Sequence, residues 1–198
     1  FINITQTFVE EQAKDSQSLF SNSPLSVDQL LEMQAIADAL IERGVDAHKD
    51  FAYQKLFDLW IQMIMKGYNV PADLIYDLLV KKAEFNKQDA SSRGLTPLMA
   101  ATLSELYGGN VEYAKKLIER GFEPKTLIEL DGGVKVNLIQ LSLQSDNHKM
   151  VALYMASGVN FITLPDDDEV FILTQAMDQK AFKSAYILRE ALVSALER

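Results

Sequence analysis

The stretch Ser145-Asp146-Asn147-His148 holds the residue types of a hydrolytic triad, a hydroxyl nucleophile, an imidazole base and a carboxylate to orient it. Consecutive residues cannot place the three in line, because nucleophile, base and orienter must meet side by side at hydrogen-bond distance. The spacing therefore predicts a polar turn. The chain has two histidines, and the other, His48, follows Val45-Asp46-Ala47 in a connection and reads as a solvated loop residue. Asp166-Asp167-Asp168-Glu169 offers hard oxygens of the kind Ca²⁺ or Mg²⁺ takes, but it lacks the alternating ligands and the glycine turn of an EF-hand loop. An acidic fingertip that meets a basic partner is the expectation. Gly132-Gly133 has no strand-then-helix context for holding phosphate and reads as a hairpin turn. With no cysteine, thiolate chemistry, disulfides and Cys-ligated zinc are excluded. Trp60, Met63 and Tyr154 stand at helical spacing and are expected in a core rather than around a cofactor. No metal, cofactor or catalytic residue is predicted.

Composition points the same way. About half of the 198 residues are apolar, enough for a real core in one domain or at most two. The net charge of −9, without clustered Lys or Arg, argues against a grip on nucleic acid phosphates. A protein partner with a basic surface fits better. The most apolar run, Leu56 to Met65, is too short to span a bilayer and contains Asp58, so it is expected as a buried helix of a soluble chain. The first residue is Phe1, which leaves two compartments open as expectations: cytoplasmic or, had a leader been removed, periplasmic.

These residues are carried by elements that recur. Thr96-Pro97-Leu98-Met99-Ala100-Ala101 opens a helix, with Thr96 as N-cap and Pro97 at the first helical position, where its missing N–H has no partner to lose. Gly108-Gly109-Asn110 ends it and turns the chain. Val111, Ala114, Leu117 and Ile118 then recur on one helical face until Gly121 stops the second helix. The closing Leu117-Ile118-Glu119-Arg120-Gly121 nearly repeats Leu40-Ile41-Glu42-Arg43-Gly44, with related endings at Lys82 and Gly158. Units thus close near residues 44, 82, 121 and 158, a spacing of 38, 39 and 37.

The Gly94-Leu95-Thr96-Pro97-Leu98 opening, the Gly109-Asn110-Val111-Glu112 turn and the Leu117-to-Gly121 close resemble an ankyrin repeat. The resemblance is strong over Leu78 to Gly158 and weaker across the rest of Ser26 to Leu192. Departures are Met99 where the repeat has His, Lys82 where it has Gly, no Thr-Pro-Leu in the other units, and a period longer than the family's usual ~33. Part of that excess lies between Thr102 and Gly108, where Thr96 to Gly121 is four residues, about one helical turn, longer than Asn137 to Gly158. The resemblance implies an all-α solenoid of stacked helix pairs with projecting hairpin or loop fingers. It spans residues 25–198 as one repeat domain behind an N-terminal cap segment, residues 1–24.

Within that frame, a weakly amphipathic helix is expected at Gln6 to Leu19 and a second from Ser26, with a capping box, to Gly44. Further helices are expected from Asp50 to Met65 and from Ala72 to Lys81. A hairpin finger is expected around Asp131-Gly132-Gly133, and a short inner helix capped by Asn137 precedes an outer one bearing Met150, Val151, Tyr154 and Met155. Asp168 is expected to cap a helix from Val170 to Met177. The last helix, Lys180 to Arg198, should turn Phe182, Ala185, Tyr186, Leu188, Leu192, Val193 and Leu196 to one side as a terminal cap.

By the same resemblance, partner contacts fall on the fingers and inner-helix ends: Ser92, Arg93 and Leu95; Leu103 and Tyr107; Glu129, Asp131, Val134 and Lys135; Gln144; Asp166, Asp167, Asp168, Glu169 and Gln175. Leu103 and Tyr107 would be the apolar anchor and the acidic fingers a charged rim. The function implied is a non-enzymatic protein-binding module that inhibits or neutralises one partner, as bacterial immunity or antitoxin-type proteins do. The alternative is an adaptor or secreted effector recruiting a cellular protein.

Overall fold

The computed structural model describes residue 35 and residues 51–80, 85–104, 108–129 and 133–197, with the backbone alone at Phe51, Ala52, Lys55 and Asp168. Apart from Ala35, which is helical and exposed, the helices expected before residue 45, the segment 1–24, His48, Lys82, Tyr107, Asp131 and Gly132 lie outside the described residues. What is described is mostly helical, with four short strands.

Helix α1 (Phe51–Met65) places Tyr53, Phe57, Trp60, Ile61 and Ile64 on one stripe, the spacing of a helix with one buried face. Gly67, at φ 76°, lets the chain reverse. Helix α2 (Asn69–Val80) returns along α1 and buries Ala72, Ile75, Leu78 and Leu79. It begins three residues before the expected Ala72, since Pro71 falls in the first turn, where an N–H has no intrahelical acceptor.

Helix α3 (Pro97–Thr102) is only six residues long and buries every one. The Thr96 hydroxyl accepts the Met99 amide at 3.3 Å, and Pro97 sits at the helix start. So short a helix holds because α1, α4 (Val111–Glu119) and α5 (Leu138–Leu143) pack around it, and because Ala100 and Ala101, fully buried, let neighbours approach closely. Asn110 caps α4 by accepting the Tyr113 amide, while Asn137 and Gln140 form a reciprocal capping box on α5. Helix α6 (His148–Ala156) is capped by Asn147 and buries Met150, Val151 and Tyr154.

The connections form two antiparallel hairpins, β1 (Ile128–Glu129) with β2 (Lys135–Val136) and β3 (Thr163–Leu164) with β4 (Asp167–Phe171). Around Asp131-Gly132-Gly133 the expected hairpin is present. The second hairpin overturns an expectation: residues 167–171 are strand, and helix α7 (Ile172–Asp178) starts later, with Phe171 at the N-cap and no side-chain cap. Pairing of Phe171 with Thr163, and the Ile172 amide donating to Ile162 O, hold this segment extended where a helix was expected from Val170. Helix α8 (Phe182–Leu196) packs on α6 and α7.

The core draws on every one of these helices, with Ile128, Val136 and Leu164 added from the strands. Its densest part is aromatic: Trp60 is fully buried, with Phe57, Tyr76, Phe85 and Phe122 ring centres 5.4 to 6.0 Å away. The Trp60 Nε1–H donates to the Tyr113 hydroxyl at 3.2 Å, which spares a buried donor. Arg120 lies 4.1 Å over the Tyr76 ring and pairs with Asp73 at 2.9 Å; Lys116 bonds the same carboxylate. Burial alone would lower the basicity of Arg120, but Asp73 and Tyr113 beside it reverse that and hold the guanidinium charged.

Candidate binding surface

Side chains tie neighbouring helix pairs together, in the core over 53 and 52 residues (Trp60 to Tyr113, Thr102 to Tyr154) and elsewhere over shorter stretches. Tyr53 bonds Asp89, Asp58 bonds Ser92, Asn69 bonds Asn110, Gly108 bonds Ser145, Gln140 bonds Gln175 and Asp146 bonds Ser184, separations of 36, 34, 41, 37, 35 and 38 residues. The candidate surface is the edge carrying the turns and hairpins that connect one helix pair to the next.

At its first turn, the Asp58 carboxylate accepts both the amide and the hydroxyl of Ser92, at 2.8 and 2.7 Å. Ser92 is thereby committed to the scaffold. Arg93 stands exposed at the tip beside Gly94, whose φ of 74° makes the turn. Leu95 is half-buried against the core, its amide held by Ser91 Oγ.

The two hairpins lie side by side, because Asp166 Oδ2 accepts the Lys135 amide at 2.8 Å. Glu129 faces Lys135 across the first hairpin, and both are exposed, as is Val134. On the second, Asp167 accepts the Glu169 amide at 3.0 Å and holds the turn, and Asp166, Asp167 and Glu169 are all exposed. Leu127, Ile162 and Phe171, unnoticed in the sequence as contact residues, are exposed apolar side chains on the same segments. Alternation along a strand is the signal that would have found Phe171, had the segment been read as strand.

The inner-helix ends are less available. Gln175 accepts from Gln140 at 3.2 Å and joins α5 to α7. Gln144 is exposed at the end of α5. Helix α3 stops at Thr102, and Leu103 is its half-buried C-cap, at the start of the longer connection.

The triad-like residues have structural bonds instead of a shared site. Ser145 Oγ donates to Gly108 O at 2.6 Å, Asn147 caps α6, and His148 opens that helix. Asp146, at φ 48°, reaches across to α8, where its two oxygens accept the Ser184 amide at 2.8 Å and the Lys183 amide at 3.2 Å. Helix α8 has no side-chain cap of its own, so Asp146 supplies one from 38 residues away. Burial raises the Asp146 carboxyl, yet these amides and the Lys183 charge outweigh it and leave the group more acidic than usual. Local sequence carried no sign of this role, since donor and acceptor meet only when the helix pairs stack.

A shallow groove of about 320 Å³ between α2 and α4 is lined by Asn69, Glu112, Tyr113, Lys115, Lys116 and Glu119. Its charges are mixed, and its Tyr113 hydroxyl is occupied by Trp60. Among the described residues no group of three or more His, Asp or Glu is placed to hold a metal ion, and no helix is long and apolar enough to cross a membrane. The sequence matches no family model and no curated protein.

Proposed function

We propose that this chain is a non-enzymatic protein-binding module, an ankyrin-like stack of helix pairs that inhibits one protein partner through the edge carrying its turns and hairpins. The observation that carries the reading is the bond between Asp166 and the Lys135 amide, which holds two fingers side by side while their other carboxylates point to solvent. Glu129, Asp167 and Glu169 then present negative charge on a pre-ordered frame, with Val134, Ile162 and Phe171 as apolar contacts among them. Such a surface loses little freedom on binding and steers a basic partner by its field. Six hydrogen bonds between successive helix pairs span 34 to 41 residues, which supports the stacked-repeat frame.

Co-expression with the products of adjacent genes tests the reading. A neighbour whose toxic or enzymatic activity is suppressed, with suppression weakened by Glu129→Lys, Asp167→Lys and Glu169→Lys together, supports inhibition. Binding that leaves the partner's activity intact would favour the adaptor role instead. Triple-variant association rates equal to the parent's at low salt would remove the hairpins from the interface.

A further inference from the structure

Helix α8 carries two apolar faces, only one of which is covered. Ser184, Ala185 and Leu188 are buried against the body of the protein. Phe182 (60 % exposed), Tyr186 (60 %) and Val193 (41 %) share a second stripe, roughly 130° around the helix from the buried face at ~100° per residue, with Leu196 (87 %) near its end. A terminal helix expected to shield its neighbour thus presents bulky side chains to solvent. Scattered apolar residues are ordinary on a surface, but an aligned stripe of an aromatic pair with aliphatic residues marks an interface.

We propose that this stripe is a homodimer interface in which α8 packs antiparallel against α8 of a second copy. Two features select a second copy over another partner. The stripe is self-complementary: a twofold axis between positions 189 and 190 sets Tyr186 on Val193 of the second copy and Phe182 on its last turn at Leu196. The same axis brings Arg189 beside Glu190 of the second copy, so each exposed charge at the centre, now paired only within its own chain at 2.7 Å, finds an opposite charge across the interface. Charge also favours this helix for self-contact. The chain carries −9, whereas α8 holds Lys183, Arg189 and Glu190, one positive charge in excess, so like-charge repulsion is smallest where two copies meet through it. One 15-residue helix per partner covers less than the ~800 Å² a side of a standard interface, so the dimer is weak, with a dissociation constant on the order of micromolar. The interface goes beyond the partner-binding role of the hairpins and leaves their edge open.

Sedimentation equilibrium of the full chain over a micromolar to sub-millimolar series tests it. The expected result is reversible association between 22.2 kDa and twice that mass. Val193→Glu should raise the dissociation constant about 100-fold or more without changing helicity by circular dichroism. Arg189→Glu and Glu190→Arg should each weaken association about tenfold, and an equimolar mixture of the two variants should restore it, since both cross-interface contacts are then opposite in charge. A single-chain mass at every concentration, a dimer indifferent to Val193→Glu, or a mixture no tighter than its separate components would each overturn the proposal.

Discussion

The first and last described helix pairs handle apolar residues in opposite ways. Around α1 and α2, Trp60 collects rings from four other positions and its one polar atom is satisfied by Tyr113, so the aromatic surface is closed on itself. Around α7 and α8, Phe171, Met177, Phe182, Tyr186 and Val193 remain in solvent. The α1–α2 end uses its aromatics for cohesion. Around α7 and α8 the apolar side chains exceed what the described neighbours cover. Hydrophobicity therefore serves cohesion at one end and stays open to solvent at the other.

The largest expected effect on that contrast is at the closed end. Trp60→Ala should destabilise the fold by about 3–5 kcal/mol, as for other fully buried large aromatics, seen as a lower urea midpoint or loss of the folded state. Next is the cap that Asp146 lends to α8. Asp146→Ala should cost about 1–2 kcal/mol at neutral pH. Because its folded acidity is greater than the ordinary 3.8, the stabilisation is complete above about pH 4 and fades as pH falls through the lowered value; the gap between parent and variant in urea unfolding should narrow there. A gap unchanged from neutral to acid pH would show that the ionised carboxylate is not what holds the helix.

A smaller loss is expected from Tyr154→Phe. Thr102 Oγ1 donates to Leu98 O at 2.7 Å, so the Tyr154 hydroxyl, 2.6 Å away, is the donor to Thr102 within the buried core. Removing it should cost about 1 kcal/mol in the same measurement. Smallest of all, Tyr186→Ser at the open end should shift the midpoint of dilute protein by less than about 0.5 kcal/mol, while weakening self-association. A Tyr186→Ser loss comparable to that of Trp60→Ala would erase the distinction between the two ends.

Much of the local architecture was legible in the residues. Thr96-Pro97 starts a helix because a hydroxyl can accept an early amide and proline loses nothing there. Asn137 with Gln140 caps the next short helix, and Gly133 at φ 81° marks the hairpin. Reading failed where a neighbour decided. Val170 and Phe171 had a helical pattern available, but pairing of Phe171 with Thr163, and the Ile172 amide donating to Ile162 O, hold the segment in a strand. Asp166, Ser92 and Gln175, expected on the contact surface, proved also to be ties between units.

The sequence alone thus determined where the helices capped by Thr96 and Asn137 begin, where the glycine turns fall and that the chain is acidic and without thiol chemistry, because caps, glycines and charges act within a few residues of themselves. Only the tertiary structure decided which carboxylates are spoken for and which apolar side chains stay wet. Asp58 and Asp146 find their donors 34 and 38 residues away, and Tyr113 and Tyr186, alike as residues, are separated by the presence or absence of a neighbouring helix. Those outcomes depend on how the helices pack, and no local pattern encodes them.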